Sequence, residues 1–195
     1  LKRGGGAHGL RVAIFGVGSI GMLTVCAARF TGATHIIGVD VAEHNLAMAS
    51  ALGAHTTINA TSGDAAKQIK ALTDGGVDIA VEVSGAPQAI AQCMDSLRPG
   101  GHLVFVGNQP LDATFSAGLI EHYIMRQQLN LHGAWMSYSA PFPGSEWTDA
   151  INILYQHRPT FQKIISHRVA LAQLPQMFDK LHNKEIEHSK VIVCF

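Results

Sequence analysis

Three glycines and one carboxylate are the residues of this chain whose types and spacing most clearly specify a chemistry. Gly16, Gly18 and Gly21 lie in Arg11-Val-Ala-Ile-Phe-Gly16-Val-Gly18-Ser-Ile-Gly21, and Asp40 follows nineteen residues later. A G-x-G-x-x-G turn between an apolar strand and a helix brings backbone N–H groups up to a pyrophosphate. Gly16 permits the tight turn, Gly18 lets the backbone approach the phosphates, and Gly21 lets helix and strand pack closely. The diphosphate then sits at the positive end of the helix dipole. Asp40 ends a second apolar strand, where a carboxylate accepts hydrogen bonds from the adenosine ribose hydroxyls and repels a 2′-phosphate. The following Val41-Ala42-Glu43 supplies no arginine to neutralise such a phosphate, so NAD is expected rather than NADP. A helix N-cap is a second role for Asp40, compatible with the first.

Two further segments end apolar strands in glycine. Glu82-Val83-Ser84-Gly85 and Val106-Gly107-Asn108 fit the rim of a pocket outside the carboxyl ends of a parallel sheet, or turns that simply end strands. Eleven histidines invite a metal, yet none lies in H-E-x-x-H or another compact ligand spacing, so His132, His182 and His188 read as structural or surface groups. Cys26, Cys93 and Cys194 are too far apart for C-x-x-C and odd in number. Buried reduced thiols and a reducing cytoplasm fit them best. Neither a G-x-S-x-G elbow nor a Walker loop is present.

The elements that must position these residues alternate. Strands are predicted at 12–15, 35–40, 56–59, 77–83, 102–106 and 129–135, and helices at 19–30, 43–52, 64–72, 87–97 and 117–126. Six Val- and Ile-rich strands, each followed by a helix, predict an α/β fold with a doubly wound six-stranded parallel sheet of the Rossmann type. Gly75-Gly76 and Arg98-Pro-Gly-Gly101 read as turns before the fourth and fifth strands, and glycines 4–6 as a linker. After Trp135 come a proline-containing loop, a helix carrying Trp147, Ile151 and Leu154, a strand at 163–169, a helix carrying Leu171, Leu174, Phe178 and Leu181, and a last strand at 190–195. That tail is too small to bury its own apolar faces and reads as a piece of a second domain.

The 195 residues carry fourteen Lys and Arg against fourteen Asp and Glu. Without a basic patch or charged tail, nucleic acid and anionic membrane are disfavoured as partners. The apolar runs are strand-length, and the first residues form no signal-peptide core.

The glycine turn, Ile37-Gly-Val-Asp40, Glu82-Val-Ser-Gly85, Pro99-Gly-Gly with Val106-Gly107, and Lys190-Val-Ile-Val together resemble the medium-chain zinc-dependent alcohol dehydrogenases. The stretch from Gly133-Ala-Trp135 to Trp147 resembles the sugar-alcohol dehydrogenases among them. The resemblance covers essentially the whole chain but only the second half of such an enzyme. It implies an NAD-binding Rossmann domain at 1–135 and, at 136–195, a C-terminal return segment of a barrel-like catalytic domain. The absent half would supply the zinc ligands, so the chain is expected to be a fragment or an unusual truncated protein, inactive alone. Carried over by position, Gly16, Gly18, Ser19, Ile20 and Gly21 would hold the pyrophosphate and Asp40 the ribose. Val83 and Ser84 would line the adenine side, and Val106, Gly107, Asn108, Ala134 and Met136 would surround the nicotinamide carboxamide. Lys190 is a weaker candidate for the same pocket, since an exposed strand lysine explains it equally well. The sixth strand resembles one through which these enzymes pair into homo-oligomers, or is an ordinary edge strand.

The expected function is therefore that of the cofactor-binding portion of an NAD-dependent zinc-type dehydrogenase, acting on a secondary alcohol of a polyol or polyol phosphate. Three alternatives stand beside it: a non-catalytic nucleotide-binding module, a zinc-free quinone reductase and a methyltransferase. Asp40 argues against the quinone reductase, and the glycine spacing and parallel sixth strand against the methyltransferase.

Overall fold

The computed structural model describes residues 1–108, 112–135 and 141–195. Six parallel strands form one sheet: β1 (Arg11–Phe15), β2 (His35–Asp40), β3 (Thr56–Asn59), β4 (Val77–Glu82), β5 (Leu97–Phe105) and β6 (Asn130–Gly133). Their order is β3-β2-β1-β4-β5-β6, and every pairing is parallel. The chain therefore winds outward in both directions from β1 and β4. Strand order reverses between those two, and a crevice opens outside their carboxyl ends.

Both sheet faces are covered, which is why the strands read as unbroken apolar runs. On one face Ile14, Ile36, Ile79 and Val81 pack against Met22 and Val25 of α1 (Ser19–Phe30) and Leu46 and Leu52 of α2 (Glu43–Leu52). On the other, Phe15, Ile37, Ala80 and Leu103 meet Ile69 of α3 (Ala65–Thr73) and Cys93 and Met94 of α4 (Pro87–Ser96). Asp64 caps α3 by accepting the Lys67 N–H at 3.0 Å. At the amino edge the buried carboxylate of Asp78 accepts from the Arg11 backbone N–H at 2.7 Å and from the Arg11 and Arg98 guanidinium groups. Burial alone would raise that carboxyl, but the hydrogen bonds from Arg11 and Arg98 outweigh it and hold the group at about 2.

Several boundaries depart from the sequence reading. Arg98-Pro-Gly-Gly101 is not a turn before β5. It lies inside a strand that already pairs at Leu97, and the ladder to β4 shifts register between Val77 and Ile79. A bulge accommodates the glycines where a turn was expected. Gly4 is not linker: it lies in a short 3-10 turn (Lys2–Gly4) and is buried, a Cβ there falling 3.1 Å from Val104 Cγ2. The fifth helix runs α-helical only over α5 (Ala117–Leu119) and continues as a π-helix to Arg126. β6 is shorter than expected.

Beyond Trp135 the described chain forms α6 (Ser145–Gln156), α7 (Arg158–Gln162), β7 (Ile165–Ala170), α8 (Leu174–His182) and β8 (Lys190–Cys194). β7 and β8 pair in parallel as a separate two-stranded sheet. Within 141–195 only Ile164 and Val169 are buried. Phe30 at the end of α1 stacks on His157, with ring centroids 3.5 Å apart, and docks the tail on the larger unit.

Candidate cofactor site

At the carboxyl end of β1 the Gly16 N–H donates to the Val39 carbonyl at 2.8 Å, with φ at +88°. A side chain there is excluded twice: the left-handed backbone disfavours it, and a Cβ would lie 2.7 Å from the Ser84 nitrogen. The next amide, of Val17, donates to Asp40 Oδ2 at 2.8 Å. Asp40 Oδ1 accepts from the Val41 and Ala42 amides at 2.8 and 3.0 Å. One carboxylate thus ties the glycine turn to the segment leading into α2, but it is not that helix's N-cap: Ala42 holds the N-cap position and no side chain caps it.

Gly18 and Gly21 differ in their surroundings. A Cβ on Gly18 would meet nothing within 4 Å, whereas one on Gly21 would lie 2.0 Å from the Gly16 carbonyl oxygen. Gly18 therefore faces open space at the mouth of the turn, and Gly21 lets the first turn of α1 seat on the loop rather than on the strand itself. Ser19, at the helix start, donates through Oγ to the Ser189 carbonyl. Ile20 is exposed. Ser19 and Lys190 line one cavity of about 520 Å³ together with Leu23, Tyr155 and Arg158.

The β4 and β5 ends close on the same edge. The Val83 and Ser84 amides both donate to the Phe15 carbonyl, at 2.8 and 3.1 Å, and the Val106 and Gly107 amides to that of Glu82, at 2.8 and 3.0 Å. A Cβ on Gly107 would fall 2.7 Å from the Gly85 nitrogen, so Gly107 lets the two strand ends touch. Asn108 and Ala134 line a cleft of about 430 Å³ with Val106, Gly107 and Arg3. Met136 lies outside the described residues.

Glu82 went unrecognised in the site reading. It is fully buried, and its Oε1 accepts from Ser84 Oγ at 2.5 Å and the Gly85 amide at 2.9 Å. An acid closing a strand buried on both faces was the available signal, since a buried carboxylate must be satisfied internally. Burial, and after it the Glu82 charge, push the neighbouring Cys93 thiol well above its ordinary range, which leaves that thiol unreactive.

This edge presents the amide-rich N-terminus of α1 beside the Asp40 carboxylate, an arrangement able to hold a phosphorylated nucleotide. Among the described residues no three His, Cys, Asp or Glu side chains come together as a metal site. No described helix is long and apolar enough to cross a membrane.

The family model described as zinc-binding dehydrogenase matches residues 19–155. Galactitol 1-phosphate 5-dehydrogenase of Escherichia coli strain K12 is 28% identical over 172 residues, which cover 88% of this chain and 49% of that protein. D-xylulose reductase of Scheffersomyces stipitis is 30% identical over 187 residues, covering 91% and 49%. The crystal structure of galactitol-1-phosphate dehydrogenase from Escherichia coli superposes with a TM-score of 0.85 at 27% identity, over 96% of this chain and 54% of that one. That of an alcohol dehydrogenase from Thermotoga maritima gives 0.85 at 25%, over 96% and 50%. The chain spans about half the length of these relatives and corresponds to their C-terminal half. With the fold, the glycine turn and the matched span in agreement, the chain belongs to the zinc-binding dehydrogenase family.

Proposed function

We propose that this chain is the cofactor-binding portion of an NAD-dependent, zinc-type dehydrogenase that oxidises a secondary alcohol of a polyol or polyol phosphate to a ketone. NAD held by this chain would supply the hydride acceptor for that oxidation. The observation that carries the reading is the open cradle at Gly18, between the start of α1 and the Asp40 turn. In this reading Gly16 makes the turn, and the first turn of α1 (Gly18, Ser19, Ile20, Gly21) holds the pyrophosphate through amides that lack helical partners. Asp40 receives the adenosine ribose and Val83 and Ser84 flank the adenine, while Val106, Gly107, Asn108 and Ala134 fix the nicotinamide face. Lys190 adds a positive charge beside Ser19. The names of the relatives, galactitol 1-phosphate 5-dehydrogenase and D-xylulose reductase, support a polyol or its phosphate as substrate.

The described residues offer zinc no ligand set, so no step through zinc is assigned to them, and we place its ligands outside this chain. Residues 1–135 form the cofactor domain and 136–195 the return segment of the catalytic one. We further propose that β6, the outermost strand of the sheet, pairs with its counterpart in a second copy, and that the protein works in the reducing cytoplasm.

Titration of the 195-residue chain with NADH and NADPH tests this reading. Saturable NADH binding, at least tenfold tighter than NADPH, is expected, with no alcohol turnover. Failure to bind NADH overturns the cofactor reading. Turnover of a polyol by this chain alone overturns the placement of the catalytic groups.

A further inference from the structure

The segment between α8 and β8 reaches back from the tail to the start of α1, where it is anchored at Ser189 and lays Glu187 beside α2. The Ser189 carbonyl accepts from Ser19 Oγ at the start of α1. Two residues earlier, Glu187 Oε1 lies 3.7 Å from Nδ1 of His44, on the first turn of α2. Ser166 secures the same segment from the β7 side: its Oγ accepts the Ser189 amide at 3.0 Å, and the Lys190 amide donates to the Ile164 carbonyl at 3.1 Å. Two residues of chain span at most about 7 Å, so Glu187 stays beside α2 while Ser189 is anchored. The strap crosses the two strand–helix junctions that flank Asp40.

His44, on the first turn of α2, is a group at this junction able to donate to a phosphate. Two carboxylates precede it, Asp40 being tied to the Val17, Val41 and Ala42 amides and Glu43 accepting from Asn59 Nδ2. A 2′-phosphate arriving on the adenosine ribose would draw on His44, and Glu187, within ion-pair distance of the protonated ring, competes for it while adding a further negative charge. We propose that Glu187 is a second determinant of cofactor choice, selecting NAD over NADP from the return segment by holding His44. This rests on the NAD reading above and extends it: selectivity is shared between the cofactor domain and the tail.

The test is the ratio of NADPH to NADH dissociation constants, measured by titrating the 195-residue chain and its variants. Glu187 is 78% exposed at its side chain, so its replacement should leave folding intact, and a melting curve verifies this. Glu187→Gln should lower the ratio about threefold, the scale of one exposed ion pair, and Glu187→Lys about tenfold. Adding His44→Gln to Glu187→Gln should return the ratio to the wild-type value. A ratio unchanged in Glu187→Lys overturns the proposal and leaves the NAD reading standing, as does a gain in Glu187→Gln that survives loss of His44. Wild-type chain that binds neither nucleotide overturns the NAD reading, and this inference falls with it.

Discussion

Gly18 and Gly21 stand three residues apart in one motif, yet the structure separates what each is for. Gly18 faces open space, so Gly18→Ala should fold normally and weaken NADH binding, because its methyl group enters the cradle. Gly21 is inside α1, where glycine-to-alanine normally gains about 1 kcal/mol. Here the new Cβ would lie 2.0 Å from a backbone oxygen, and overpacking of that kind costs about 1–3 kcal/mol. The clash wins, so Gly21→Ala should melt several degrees lower in a thermal scan. Asp78 gives the residue scale its pH dependence. Its carboxyl is held at about 2 instead of 3.8, which corresponds to about 2 kcal/mol of stability. A carboxyl depressed in the folded state contributes fully above its unfolded value and loses that contribution as pH falls toward 2. Asp78→Asn should therefore be less stable at pH 7, and its acid unfolding should be flatter than wild type between about pH 4 and 2.

At the scale of elements, the clearest strand signals were those buried on both faces. β1, β2 and α1 were legible because Val, Ile and small apolar residues run without a break and the glycine turn fixes where one element stops. The start of β5 was not, because Pro99-Gly100-Gly101 is local turn chemistry overridden by pairing with β4. The His102–His132 contact on the β5–β6 edge also escaped sequence reasoning, since nothing in their spacing shows the register. That register sets His102 beside Asn130 and His132 beside Val104 and brings the two rings together on the diagonal. Their rings face one another, Nδ1 of His102 lying 2.9 Å from Nε2 of His132. Glu82 was quoted within a motif, but its role depends on meeting Ser84 and Gly85 in space. Burial first, then the charges of His132 and Arg98, lower the His102 value. A histidine depressed in the fold stabilises it above its unfolded value of about 6.5 and ceases to do so as pH drops below that. Melting temperature should thus fall between about pH 7.5 and 5.5, and His102→Asn should flatten that slope. A slope identical in the variant would place the pH sensitivity elsewhere.

At the scale of the whole molecule, two parts of one chain differ in how well they bury themselves. The sheet and its helices enclose a core on both faces, whereas among its described residues the tail contributes only Ile164 and Val169 as buried side chains. Ile151 and Phe178 are 63% and 61% exposed although they recur at helical spacing with other apolar residues on α6 and α8. Amphipathic faces of this kind form when something covers them, which supports the return segment proposed above. The contrast yields a paired expectation. Ile164→Ala removes a side chain packed into the main core and should cost about 2–4 kcal/mol in denaturant unfolding. Ile151→Glu with Phe178→Glu should change stability by less than about 1 kcal/mol, the range for exposed positions, while lowering binding of a hydrophobic dye to the native chain. If the double variant destabilised as much as Ile164→Ala, the tail would already be packed by its own residues, and its assignment as an uncovered segment would be wrong.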